Sequence, residues 1–412
     1  MAGVFSGALP KANQLDSVNF STAFQIFPNG IMGRPPTEKA LTQQKPILKT
    51  IHIQGFRSIK EATVELDSLN ILIGQNGAGK SNFVAVFKML NEMMGERLQE
   101  YIGKTGRAQS LLHFGPKTTP HLEARLEFTL GKVVDTYSMR LAHAAGDTLI
   151  FTEETLSFHT KGFRQPKTDS LGAGHLETGL RDRNRRDTPT IGVFRKILNS
   201  CRVYHFHDTS ATAGVRQHCY VDDNRWLMPD GGNLAAMLLR LREEDGGKAY
   251  QRIGSTIRLI APFFGDFVLE PAGLKRELLL NWRTKDSDQV FGPHQLSDGT
   301  LRAICLVTLL LQPEALLGGL LIVDEPELGL HPYALNIIAS LFKKASHHSQ
   351  ILITTQSPTF LDHFDPEQII VVDLAGKESK FTRPGPEHLA EWLKEYSLGE
   401  IWEKNVIGGG PH

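Results

Sequence analysis

"LNILIGQNGAGKSNF", residues 69–83, decides the fold. An apolar run ends in Gly74, and "GQNGAGKS" then fits G-x-x-x-x-G-K-[ST], with Gly74, Gly79, Lys80 and Ser81 in the fixed places. A helix is expected from Ser81 to about Leu98, because Phe83, Val86, Phe87 and Leu90 recur at helical spacing. Strand, glycine-rich loop and helix together form the context in which this motif cradles phosphate. The glycines let backbone N–H groups curl around phosphate oxygens, and the helix N-terminus adds partial positive charge. Lys80 is expected to reach the β- and γ-phosphates, and Ser81 to ligate Mg²⁺. Asn76, Gly77 and Asn82 complete the expected nucleotide contacts.

A second site lies far downstream. In "LLIVDEPELGLHP", residues 320–332, an apolar strand runs into Asp324 and Glu325. An acid at the carboxyl end of a buried strand sits at the sheet edge where ligands bind, so Asp324 is expected at the Mg²⁺. Glu325 points differently and can polarise a water aimed at the γ-phosphate. Without the upstream phosphate loop, the pair would read equally well as a strand ending in solvated acids.

Working outward, "ILKTIHIQGF" (47–56) alternates like a strand, "ATVEL" is another, and "HLEARLEFTL", "KVVDTYSMRL" and "TLIFTEETLSFH" suggest an antiparallel meander. Residues 160–190 are polar and Gly-rich and read as a mobile loop. Then follow a strand "CRVYHFH", helices at about 232–245 and 248–260, and strands "DFVLEP" and "ELLLNWR". From 296 the order is helix, strand "GLLIVD", helix 333–346, and strands "QILITT" and "QIIVVD". Strands alternating with helices specify a parallel α/β sheet.

The 412 residues suffice for two domains, or for one large domain carrying an insert. Acids and bases balance at 45 each, so any nucleic-acid surface has to be local. Three cysteines without CxxC pairing fit a reducing, cytoplasmic setting, and the N-terminus lacks signal-peptide character. The stretch 303–323 is almost apolar enough to span a membrane. Gln312, Pro313 and Glu314 interrupt its centre, so it reads as helix, turn and strand.

One stretch is locally awkward. In "HQLSDGTLRAICLV", residues 294–307, Ser297 is an N-cap candidate, yet Gly299 falls in the first turn, where it costs about 1 kcal/mol. With the two acid and phosphate motifs, this chain resembles the ABC-type ATPases of the SMC/RecF group. "LSDGT" stands where that group carries its signature, whose helix points at the γ-phosphate held by the other subunit. The resemblance therefore implies contacts in trans from Ser297 and Gly299. "GFRSIKEATVEL" resembles the group's first hairpin, which implies Arg57 near the nucleotide. "DEPELGLHP", "VYHFHDTS", "PDGGNLAA" and the ending "EWLKEYSLGEIWEKNVIGGG" resemble a stand-alone AAA-type branch related to the overcoming-lysogenisation-defect nucleases.

The resemblance implies an α/β P-loop NTPase, an ABC-type ATPase head. Its mixed or parallel core sheet would carry an antiparallel β lobe and a helical insert. Expected boundaries are a largely irregular extension, 1–46, and an ATPase domain, 47–412. Within the latter, 47–160 is the lobe with the phosphate loop, 161–290 the insert, and 291–412 the lobe with signature and acids. ATP and Mg²⁺ are the implied cofactors. The implied partner is a second copy sandwiching two nucleotides, with DNA and a separate effector protein as candidates, in DNA transactions or anti-phage defence, and no membrane. Glu325, Lys80 and Gln356 are the implied catalytic residues.

This sequence also departs from the group. Gln356 stands at a switch position usually occupied by His, and it cannot carry a proton or a charge. An ATP-gated binding module with little hydrolysis is therefore the alternative reading. Long heptads are missing, which argues against a tethering role, and too few residues follow Asp373 for a TOPRIM nuclease domain. His205, His207 and Asp208, with Cys201, His218 and Cys219, offer metal-ligand types. His205 and His207 would share a strand face, but a polar sheet face is the favoured reading. "RDRNRRD" (181–187) reads as a solvated segment before a phosphate-backbone contact. Leu301, Ile304, Cys305 and Thr308 read as core packing rather than a redox site.

Overall fold

The computed structural model describes residues 45–410, apart from 161, 163–164, 183–187, 272 and 274–275. The expected irregular extension and most of "RDRNRRD" fall outside the described residues. The strands of the described chain form two six-stranded sheets and two small ones. The first sheet is wholly antiparallel, in the order β2-β1-β4-β5-β6-β7. Its strands are β1 (Ile47–Phe56), β2 (Ile59–Glu65), β4 (His121–Leu130), β5 (Val133–Ala144), β6 (Thr148–Thr160) and β7 (Lys167–Gly172).

The second sheet runs β17-β16-β3-β15-β14-β8 and is parallel except for β17. It contains β3 (Leu69–Ile73), β8 (Cys201–Tyr204), β14 (Leu320–Asp324), β15 (Gln350–Thr355), β16 (Ile369–Ala375) and β17 (Glu378–Thr382). The small sheets pair β9 (Cys219–Tyr220) with β11 (Glu277–Leu278), and β10 (Phe264–Val268) with β12 (Asn281–Thr284) and β13 (Val290–Phe291). Helices are α1 (Lys80–Met94), α2 (Leu98–Lys104), α3 (Arg107–Leu111), α4 (Pro189–Asn199), α5 (Leu234–Glu243) and α6 (Lys248–Ile260). They continue with α7 (Asp298–Leu311), α8 (Pro332–Ala345), α9 (Pro358–Leu361), α10 (Pro386–Leu389) and α11 (Leu398–Glu403).

The parallel strands read as mainly apolar runs because their sheet divides two cores. Leu69, Ile71 and Ile73 of β3 face one core, with Leu321, Val323, Ile351 and Ile353 of its neighbours. Leu72 faces the other, with Leu320, Ile322, Leu352 and Phe83 and Phe87 of α1. Burial on both faces removes the polar alternation of a one-sided strand. Each fully buried Phe of α1 contributes about 1.5–3 kcal/mol to holding that helix on the sheet.

The stretch 303–323 is the end of α7, a turn and β14, as expected, and no helix among the described residues is long and apolar enough to cross a membrane. The mobile-loop reading of 160–190 is corrected: Lys167–Gly172 forms β7 at the edge of the antiparallel sheet. As an edge strand it hides only Leu171, so the hydrophobic period was too short to read. The expected insert, 161–290, is shared between both sheets, since β7 pairs with β6 and β8 with β14. The hairpin strand β17 was not expected. The strand "CRVYHFH" ends at Tyr204, so His205 and His207 do not share a strand face.

Candidate functional site

The phosphate loop joins β3 to α1. Gly77 and Gly79 have φ of 83° and 115°, the left-handed region that side chains rarely adopt. A Cβ on Gly79 would lie 2.0 Å from Ser379 Oγ, and one on Gly74 would lie 2.2 Å from the Val372 carbonyl. Gly77 has open space before it, and with Asn76 forms the exposed rim of the loop. Three of these glycines thus answer different demands: Gly74 packs on β16, Gly79 packs on β17, and Gly77 leaves its backbone accessible. Gly79 caps α1 without a side chain, so the first N–H groups of the helix keep no side-chain acceptor.

Lys80 is buried, and its Nζ donates to the carbonyls of Gly74 at 2.5 Å and Gln75 at 3.2 Å. Burial lowers its pKa, while Glu325, Glu327 and Asp324 oppose that shift. The strand order β3-β15-β14 is what brings the two sequence motifs to one sheet edge. Ser81 is exposed at the start of α1. Asn82 Nδ2 donates to Ser58 Oγ at 2.6 Å, and Ser58 and Ser379 share a hydroxyl contact at 2.7 Å. Ser379 Oγ also donates to the Ala78 carbonyl, at 2.6 Å. Arg57 reaches Asn82 Oδ1 at 3.4 Å from a left-handed backbone held by its N–H on the Leu111 carbonyl.

The two acids sit at the carboxyl end of β14, one strand removed from β3 across β15. Consecutive threonines of β15 point to opposite sides and each holds an acid. Thr354 Oγ1 donates to Asp324 Oδ1, and Thr355 Oγ1 donates to Glu327 Oε1 at 2.5 Å. Glu325 lies between, with φ of 42° and its N–H on the Thr354 carbonyl at 2.9 Å. That left-handed backbone separates the directions of the Asp324 and Glu325 side chains. Gln356, just beyond β15, donates its backbone N–H to Glu327 Oε1 at 3.2 Å. A hydroxyl at Ser81 and a carboxylate at Asp324 are hard oxygen donors of the kind Mg²⁺ takes with water and phosphate.

Helix α7 begins where the sequence placed its N-cap. Ser297 Oγ accepts the Thr300 N–H at 3.2 Å, and Ser297 and Asp298 are exposed. A Cβ on Gly299 would lie 2.2 Å from the Gly329 carbonyl. Gly299 therefore has an intrachain reason to be glycine, namely the close passage of the segment after β14. Arg302 clamps the same junction, donating to the carbonyls of Leu328 (3.1 Å), Phe206 (3.2 Å) and His207 (2.8 Å). Arg216, almost fully buried, pairs with Asp298 at 2.8 Å and donates to the Thr209 carbonyl at 2.7 Å.

The His/Asp group does not assemble as a metal site. Among the described residues no cluster of three His, Cys, Asp or Glu side chains could hold an ion. His207 instead contacts the Asp324 carbonyl at 2.8 Å through Nε2. Burial lowers the pKa of His205. Leu301, Ile304, Cys305 and Thr308 are fully buried core, and burial pushes the Cys305 thiol far up.

Among solved structures, the chain resembles an SMC head bound to the C-winged helix domain of ScpA, with TM-score 0.56 and 14% identity over 83% of this chain and 99% of that one. It also resembles the SMC head domain with an extended coiled coil from Pyrococcus furiosus, with TM-score 0.54 and 12% identity over 85% and 99%. The chain has the fold of an SMC/RecF-like ABC-type ATPase. Two segments of the chain match family models: residues 47–111 an AAA ATPase domain, and 234–362 an "AAA domain, putative AbiEii toxin, Type IV TA system". It is 37% identical over 86 residues to the DNA replication and repair protein RecF of Crocosphaera subtropica, covering 21% of this chain. It is 36% identical over 86 residues to urease accessory protein 2 of Cryptococcus neoformans, covering 19% of this chain. The match spans 20% of the first relative's length and 6% of the second's.

Several residues around this site carry no motif signal of their own. Ser58, Ser379, Arg216 and Arg302 touch the motifs from distant positions, and Glu327 lies within the acid motif itself. Of these only Glu327 carried a local signal, as a third acid within four residues of Asp324. The C-terminal segment was read by resemblance alone. Its Gly409 carbonyl accepts the N–H of Gln75 in the phosphate loop at 3.0 Å and Trp402 Nε1–H at 2.9 Å.

Proposed function

We propose that this chain binds Mg-ATP at its phosphate loop and hydrolyses it as a head-to-tail homodimer with two composite sites. The observation that carries the reading is that the phosphate loop after β3 and the acids Asp324 and Glu325 at the end of β14 lie at the same carboxyl edge of one parallel sheet, one strand apart. Lys80 would exchange its loop carbonyls for phosphate oxygens, which the exposed Asn76–Gly77 backbone also faces. Ser81 and Asp324 would hold Mg²⁺, which supplies charge neutralisation at the β- and γ-phosphates. Glu325 would accept the proton of the attacking water, and Gln356 would hydrogen-bond the γ-phosphate. Ser297 and the start of α7, exposed yet braced by Arg216 and Arg302, would cap the nucleotide held by the other copy. The test is phosphate release from ATP by the purified chain at several protein concentrations. Turnover per chain that rises with concentration supports composite sites, and concentration-independent turnover contradicts them.

A second reading, an ATP-gated binding module with little turnover, is favoured by the uncharged Gln356 at the switch position. Under it ATP drives dimerisation while phosphate release stays near background. DNA and a separate effector are the proposed partners, in DNA transactions or defence. The RecF likeness and the toxin-system description of the matched AAA model support that choice.

A further inference from the structure

Glu327 is used by none of the steps above, yet it is the most enclosed acid at the site, with 8% of its surface exposed. Its Oε1 accepts both the Thr355 hydroxyl and the Gln356 N–H. Its Oε2 is buried without a hydrogen-bond partner. Thr355 Oγ1 in turn accepts the Ser357 N–H at 3.0 Å, and Ser357 caps α9. On the other side, the Glu327 carbonyl accepts the Leu330 N–H at 3.1 Å. The two residues between them, Leu328 and Gly329, are those that Arg302 and Gly299 of α7 grip.

We propose that Glu327 is a positioning residue of the ATPase site, tying the switch glutamine Gln356 to the segment Leu328–Leu330 so that the two move as one. The inference rests on the role given above to Gln356. Its physical basis is that Oε1 is the acceptor for both donors at the turn into the switch. An apolar residue there would leave the half-buried Gln356 N–H and the buried Thr355 hydroxyl without this acceptor, and the turn would move to find water. A glutamine would keep the acceptor.

The experiment compares full-length wild type, Glu327→Gln, Glu327→Leu and Thr355→Val, in Mg-ATP turnover and in amide hydrogen exchange at Gln356. Glu327→Gln should hold kcat within about threefold of wild type, whereas Glu327→Leu should lower kcat at least about tenfold with KM little changed. Exchange at the Gln356 amide should quicken at least about tenfold in Glu327→Leu and not in Glu327→Gln. Thr355→Val, which removes one donor and keeps the shape, should fall between them. The proposal is overturned if Glu327→Leu keeps wild-type kcat and Gln356 protection, if Glu327→Gln falls as far as Glu327→Leu, or if only KM changes. If Glu327→Leu does not fold, Thr355→Val and Glu327→Gln decide it, because unchanged exchange and turnover in Thr355→Val overturn the tether. If the wild type does not turn over ATP, the proposed catalytic function fails, and the exchange comparison still tests the tether.

Discussion

Lys80 is a cation in a buried loop, held by the carbonyls of Gly74 and Gln75, and Glu325, Glu327 and Asp324 oppose the lowering of its pKa by burial. Replacing it by Ala removes the charge that phosphate would meet. Hydrogen bonds to charged groups contribute about 1.5–3 kcal/mol each, so ATP affinity of Lys80→Ala should fall about 10–100-fold with unfolding unchanged. Isothermal titration with ATP checks this, and unaltered affinity refutes the loop assignment. Glu325→Gln keeps the shape and loses the proton acceptor. ATP binding should persist while kcat drops by about 10²-fold or more, as expected for loss of a general base. Single-turnover measurement at wild-type rate in this variant would exclude Glu325 from that role.

At the scale of elements, α7 shows how one residue can serve two demands. Its first turn has no room for a Cβ against Gly329, and under the proposed function it would also offer its backbone to a phosphate. Gly299→Ala should therefore destabilise the chain by about 1–3 kcal/mol through overpacking, measured by denaturant unfolding. No change would mean that Gly329 yields easily. The antiparallel sheet offers a separate test. Burial pushes the Asp135 carboxyl of β5 up to about 6, between cross-strand neighbours Phe128 and Phe158. Below about pH 4 the folded and unfolded forms both keep the proton. Between about pH 4 and 6 only the folded form keeps it, so stability is lost as pH rises, and above 6 the loss is complete. Asp135→Asn should thus stabilise by about 1–3 kcal/mol at pH 7 and by almost nothing at pH 3.5. Equal effects at both pH values would contradict this.

The same elements explain what was legible beforehand. The phosphate loop, Asp324, Glu325 and the cap at Ser297 are local patterns, in which a few adjacent residues state both geometry and chemistry. The parallel sheet was readable because strands buried on both faces are mostly apolar, with few polar residues such as Asn70 to interrupt the run. Edge strands β7 and β17 hide too few side chains to leave a period. Ser58, Ser379 and Arg302 gain meaning only from contacts across the folded chain, such as that between the two serines, 321 residues apart. The His205–His207 alternation misled because the chain leaves β8 at Tyr204, where Arg302 instead takes up the following carbonyls.

For the whole molecule, the proposed homodimer would join the exposed start of α7 of one copy to the exposed rim of the phosphate loop of the other. The most direct measurement mixes two variants, Lys80→Ala and Ser297→Arg, and follows phosphate release. The first lacks its own phosphate cation, and the second blocks the surface offered to the other copy. Each alone should be inactive. In the mixed dimer one site would carry both defects and the other neither, so an equal mixture should recover about a quarter of wild-type turnover if sites act independently. An equal mixture that stays inactive, or a Ser297→Arg chain that turns over ATP normally by itself, would contradict composite sites.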